Sequence, residues 1–265
     1  MKTVLLLNVL ALGLVDTLAQ DWAKTKLEKS PRHQEWIQVK QGRRQVHCFV
    51  VYPESKDKAP VMIVIHENRG LTDWVRRAAD QFAEAGCIAI APDLLSAMGP
   101  GGGKTSDFAG EDAATKAIYT LPPEQVTADL NAVAAYAASL PAANGKVVVS
   151  GFCWGGGQTF RFATNNKDLK AAFVFYGVGP DKAEEISRIQ CPVYGFYAGN
   201  DARVNATITK SSELMKSASK VYEPVTYEGA GHGFMRAGEE PNARLENTKA
   251  REAAWARLKA LLKKI

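Results

Sequence analysis

The sequence predicts a mostly parallel α/β sheet covered by helices on both faces, with an antiparallel pair of strands at its N-terminal edge. Three observations predict it. The runs VMIVIH at 61–66 and KVVV at 146–149 are apolar throughout rather than alternating, as in strands buried on both faces. Helical spacing separates such runs, giving the βαβ alternation of a parallel sheet. With 265 residues, 46% of them hydrophobic, the chain can close one sizeable core.

Residues 1–19 stand apart from that domain. Met1-Lys2 gives a basic start, 4–15 (VLLLNVLALGLV) is an apolar run too short to span a membrane comfortably, and Thr17 and Ala19 are small residues placed for a cut after Ala19. The expectation is a secretory signal peptide, a domain over 20–265, and a secreted or periplasmic product with no stable membrane association after cleavage. Removing Lys2 and Asp16 together leaves the net charge at +5.

The domain then reads in order. Residues 21–34 are polar and predict a surface arm. Residues 35–40 and 45–52 alternate as an antiparallel pair turning near Gly42-Arg43. The run 61–66 is a buried strand, Asp73–Glu84 an amphipathic helix capped at Thr72 or Asp73 and closed by Gly86, and 87–91 a second buried strand ended by Pro92. The stretch 94–122 breaks the pattern with a glycine run and a weakly helical part; it is either a binding loop or lid, or a tolerated surface insertion. A helix over 123–140 puts Val126, Leu130, Val133 and Ala137 on one face. Strands follow at 146–149, 169–176, 191–198 and 221–227, with a helix over 205–217. A final amphipathic helix over 242–264 turns Leu245, Trp255, Leu258 and Leu262 inward.

The strand at 146–149 runs into Ser150-Gly-Phe-Cys-Trp-Gly-Gly, and helical spacing resumes after it. Strand, Gly-x-Cys-x-Gly, helix is the setting of a nucleophile elbow: a strained turn lifts Cys153 off the strand end, and Gly151 and Gly155 let strand and helix approach. A helix N-terminus beneath the sulfur favours a thiolate. Asp201 stands just past the strand 191–198, and His232 lies in the Gly-rich loop after the last strand. Ligand-binding groups of open α/β sheets gather at these strand ends. In the order nucleophile, acid, histidine, His232 is the proton carrier and Asp201 the group that fixes its tautomer.

These residues place the chain in a recognisable setting. IHENRGL at 65–71, APDLL at 91–95, SGFCWGGG at 150–157, YAGND at 197–201 and GAGHGFMR at 229–236 together resemble the dienelactone hydrolase (carboxymethylenebutenolidase) family of the α/β-hydrolase fold. The resemblance implies hydrolysis of an ester or lactone by a Cys153–His232–Asp201 triad. It also implies a catalytic part for Glu67: a carboxylate that contacts the nucleophile, disfavours the thiolate at rest and moves when substrate binds. A neutral resting thiol also oxidises more slowly. The implied oxyanion hole is the backbone N–H of Asn68 and of Trp154. Arg236 matches an arginine that binds a substrate carboxylate, a task suited to a guanidinium. The family's second such arginine has no counterpart here; either Arg69, Lys104 or Lys116 replaces it, or the substrate lacks that carboxylate.

Other classes fit less well. The charge of +5 is spread along the chain without a basic block, which argues against nucleic acid. No metal or organic cofactor is implied, because His, Asp and Glu do not fall at ligand spacing. The four cysteines include no CxxC pair, so a thiol oxidoreductase lacks its resolving partner, and Cys48, Cys87 and Cys191 read as buried thiols without disulfides. A broad carboxylesterase or peptidase on the same triad, and a non-catalytic binding protein on the same scaffold, remain as rivals. The partner expected is a small ester or lactone; the sequence does not set the oligomeric state.

Overall fold

The computed structural model describes residues 21–265, so the expected signal peptide over 1–19 lies outside the described residues. Helix α1 (Asp21–Glu28) leads into the antiparallel hairpin β1 (Gln34–Gln41) and β2 (Arg44–Val51), which turns at Gly42 with φ 58°. Next come β3 (Ala59–Ile65), α2 (Asp73–Glu84), β4 (Ile88–Pro92), α3 (Glu111–Ile118) and α4 (Pro123–Ala138). The second half holds β5 (Ala143–Phe152), α5 (Trp154–Ala163), β6 (Ala172–Phe175), α6 (Ala183–Ser187), β7 (Val193–Ala198), α7 (Ala202–Ser217) and β8 (Tyr222–Tyr227). The short α8 (Phe234–Ala237) and the long α9 (Leu245–Leu262) close the chain.

The described strands form one eight-stranded sheet in the order β1-β2-β4-β3-β5-β6-β7-β8. Strand β2 is antiparallel to both its neighbours and the remaining pairs are parallel, as expected for a covered α/β sheet. The pleat sorts β3 between two cores. Val61, Ile63 and Ile65 pack with α4, α5 and α7, whereas Met62 and Val64 pack with α1, α2 and α9. Both faces are buried, which is why the run carries no polar alternation.

Two expectations are corrected. Residues 21–34 are not a polar surface arm: α1 buries Ala23 and Leu27 in the α2–α9 core. The segment after α1 is pinned by Asp80, a fully buried carboxylate that accepts from Arg32 Nε at 2.8 Å and Nη2 at 2.9 Å, and also from Ser30 and Arg77. Burial alone would raise the Asp80 pKa, but these donors hold it below the ordinary carboxylate range. In α9, Leu245 is 60% exposed, and the inward face is built from Ala250, Ala254, Trp255, Leu258 and Leu261. Leu262 is only partly buried, packed at that face's edge. The four cysteines are free thiols, with Cys48, Cys87 and Cys191 buried. No helix among the described residues is long and apolar enough to cross a membrane.

Candidate active site

The site lies at the C-terminal ends of β3, β5, β7 and β8. Between β5 and α5, Cys153 takes φ 56° and ψ −117°, a region that L-residues avoid and that turns the side chain away from the strand. Backbone bonds fix the turn: Cys153 N–H donates to Phe175 O at 3.1 Å, and Gly157 N–H to Cys153 O at 3.2 Å. The glycines are sterically required. A Cβ on Gly151 would lie 2.2 Å from Gly155 O, and one on Gly155 would lie 2.3 Å from His66 O. Only bare backbone lets α5 start this close to β3.

His232 joins the thiol to the acid. Its Nδ1 lies 2.5 Å from Asp201 Oδ2, and Cys153 is close enough to act on the titration of the same ring. Asp201 is buried and caps α7, with its other oxygen accepting from Val204 N–H at 3.3 Å. The two loops are tied together, since Asn200 N–H donates to Ala230 O at 2.9 Å and Asn200 Nδ2 to Gly229 O at 3.0 Å. Partial burial pulls the His232 pKa down, but the hydrogen bonds and charges of Cys153 and Asp201 outweigh it and push it up to about 9. The arrangement favours an imidazolium beside the Asp201 carboxylate.

Glu67 follows β3 and is nearly buried. Its Oε2 accepts from Arg236 Nε at 3.3 Å, and Arg236 Nη1 donates to Glu240 Oε1 at 2.7 Å. Burial raises the Glu67 pKa against the pull of Arg236, Arg69 and His232. Arg236 is thus engaged by two carboxylates, and Arg69 by a third, Glu111, at 2.6 Å. Lys104 lies in a separate hollow, with its ammonium 5.8 Å from the Trp36 ring, and Lys116 is on the exposed side of α3.

A cavity of about 300 Å³ opens beside the thiol, lined among others by Cys153, Trp154, Gln158, Tyr176 and Val178. Tyr119, from the segment between β4 and α4, also lines it, and Asn68 Nδ2 donates to its hydroxyl at 3.5 Å. Tyr119 thus brings that segment to the cavity wall. Sequence reasoning missed Tyr176, whose ring packs edge-on against His232 at 5.1 Å. Burial, reinforced by Glu67 and Cys153, keeps its phenol protonated by raising its pKa far above the ordinary value. It also missed the cavity-lining Arg161 and Arg203. Arg161 donates to Pro123 O at 2.9 Å and to Thr127 Oγ1 at 2.7 Å, whereas Arg203 has no carboxylate partner among the described residues. The signal available for Tyr176 was its place at the end of a buried strand beside the elbow.

Comparison with known proteins agrees with this architecture. Residues 46–265 match the model of the dienelactone hydrolase family. A relative from Salmonella typhi that carries the name carboxymethylenebutenolidase is 32% identical over 199 residues, covering 71% of this chain and 72% of that protein. One of the same name from Methylorubrum extorquens is 29% identical over 224 residues, covering 80% and 75%. A crystal structure from Klebsiella pneumoniae, described as a dienelactone hydrolase, superposes with a TM-score of 0.77 at 24% identity, covering 88% of this chain and 99% of that one, and so shares the fold. With the family match spanning the sheet from β2 to the C-terminus, the chain belongs to the dienelactone hydrolase family.

Proposed function

We propose that the protein hydrolyses a small ester or lactone through a covalent Cys153 thioester. The observation that carries this reading is Cys153 on a strained elbow lining a cavity, grouped at the strand ends with a His232 whose ring is hydrogen-bonded to the buried Asp201. Cys153 Sγ attacks the carbonyl carbon while the carbonyl oxygen gains charge facing the N–H groups of Asn68 and Trp154. The C–O bond then breaks, and His232 gives its proton to the departing alkoxide. Water, deprotonated by His232, attacks the thioester; the C–S bond breaks, and acid and thiolate are released. In a lactone the alcohol stays tethered to the product acid. Asp201 holds the proton of His232 on Nδ1 and stabilises the ring while it is charged.

The cavity of about 300 Å³ suits a small acyl group better than a peptide. A substrate carboxylate reaching Arg236 meets a guanidinium already shared by Glu67 and Glu240, so its binding and the displacement of Glu67 are coupled. As part of the same proposal, residues 1–19 are a cleavable leader that takes the enzyme to the periplasm or the exterior, which N-terminal sequencing of the expressed protein tests by cleavage after Ala19. For the chemistry, Cys153→Ala should abolish turnover of a dienelactone and of a neutral aryl acetate while thermal unfolding stays cooperative. Full turnover in that variant overturns the mechanism. Wild-type protein inert on every ester and lactone tried, yet binding them, would favour a binding protein on this scaffold.

A further inference from the structure

His66 ends the run VMIVIH and precedes the loop that carries Glu67 and Asn68. Its ring is fully buried, and both nitrogens have partners. Leu94 N–H donates to Nε2 at 3.2 Å, so the ring proton is assigned to Nδ1, which donates to Glu67 O at 2.8 Å. Burial holds its pKa below the ordinary value, against the opposing charge of Asp93, so the ring is neutral.

The bond to Glu67 O reaches the candidate oxyanion site through one covalent unit. The Glu67 carbonyl and the Asn68 N–H are opposite ends of the same peptide, planar and trans, and no cis bond occurs among the described residues. Fixing the oxygen fixes the direction of the N–H. Donation to the carbonyl also polarises the amide and strengthens its N–H as a donor. Gly70 N–H adds a second, longer bond to the same oxygen at 3.3 Å. Trp154 meets the same ring: its indole stacks on His66 at 5.6 Å and 13°. Trp154 supplies the second proposed N–H, and the next residue, Gly155, presses on His66 O.

The far end of the loop is held from the same side. Asp93 accepts from Leu95 N–H at 3.1 Å and from Thr105 N–H at 3.0 Å, and Thr105 Oγ1 donates to it at 2.7 Å while accepting from Leu71 N–H at 3.1 Å. Loop 66–71 is therefore braced at both ends by the chain that follows β4.

We propose that His66 is a positioning residue for the oxyanion hole, setting the plane of the Glu67–Asn68 peptide and the seat of Trp154 through one ring. The inference rests on the thiol esterase reading above. His66→Asn and His66→Gln separate its two bonds. The Asn amide nitrogen can take the place of Nδ1 and keep the donor to Glu67 O. The Gln amide reaches the Nε2 position, satisfies Leu94 N–H and leaves Glu67 O without that donor.

The expected result is kcat within about threefold of wild type for His66→Asn and a fall of roughly 10- to 100-fold for His66→Gln, with KM unchanged. Iodoacetamide should alkylate Cys153 at the wild-type rate in both, since alkylation needs the thiol but no oxyanion hole. Equal losses in the two variants, or kcat falling in step with alkylation, overturn the positioning role. Should neither variant fold, nitrogen NMR of the wild type decides: a neutral His66 with its proton on Nδ1 supports the assignment, and a proton on Nε2 overturns it. Turnover surviving in Cys153→Ala is a different failure, because it removes the thiol reading itself and the inference with it.

Discussion

Asp201→Asn isolates what the acid of the proposed triad does. The two Asp201 oxygens each accept one hydrogen bond, Oδ2 from His232 Nδ1 at 2.5 Å and Oδ1 from Val204 N–H at 3.3 Å. An asparagine amide offers one acceptor and one donor in the same volume, so it cannot serve both partners. If its oxygen stays on the helix N–H, its NH₂ faces Nδ1, which drives the ring proton to Nε2 and turns the bond towards Cys153 the wrong way. If it flips, a buried helix N–H is left facing a donor. Losing a charge-assisted bond at a buried acceptor costs about 3 kcal/mol, or about two orders of magnitude in kcat. Removing the carboxylate also lowers the His232 pKa from about 9 towards the ordinary histidine range. The assay is kcat against pH for an aryl acetate, with the His232 titration followed by NMR. A variant within threefold of wild type and with an unchanged histidine titration would refute the assigned role of Asp201.

Other consequences follow from the same geometry. Gly155→Ala places a methyl 2.3 Å from His66 O and 2.5 Å from Ile65 O, both backbone atoms that cannot rotate away, so a loss of about 3 kcal/mol in urea-unfolding stability is expected together with loss of turnover. The His232 pKa is raised on folding, so its contribution to stability is complete below about pH 6.5 and disappears as pH rises through about 9. The urea midpoint of the wild type should therefore fall between pH 6 and pH 9.5 by more than that of His232→Gln. Arg203→Ala removes a cavity-lining cation with no carboxylate partner among the described residues, and should raise KM about tenfold for acidic esters while leaving neutral ones unchanged. Equal effects on both would remove its part in charge recognition.

The strands, the elbow and the order of Cys153, Asp201 and His232 were legible because each rests on local chemistry. A doubly buried strand needs an apolar run, a crowded turn needs glycine, and polar groups after strands fall at one end of a parallel sheet. Partner choice was less legible. The charge of Arg236 was plain in the sequence, but its sharing between Glu67 and Glu240 depends on α8 folding back over the end of β3. Helix α1 escaped detection because it is only eight residues long and buries just Ala23 and Leu27, a single i, i+4 pair too short to stand out among polar neighbours, while the Arg32–Asp80 ion pair that pins the segment after it depends on the fold. His66 read as the last residue of a buried strand, and only the fold brings Leu94 and Trp154 to its ring.

The most direct test of the central claim is mass spectrometry of the enzyme quenched during turnover of an aryl acetate. One acetyl group, labile to hydroxylamine, is expected on the peptide that contains Cys153. Steady turnover with that peptide unmodified, and with label on another residue or on none, would contradict it.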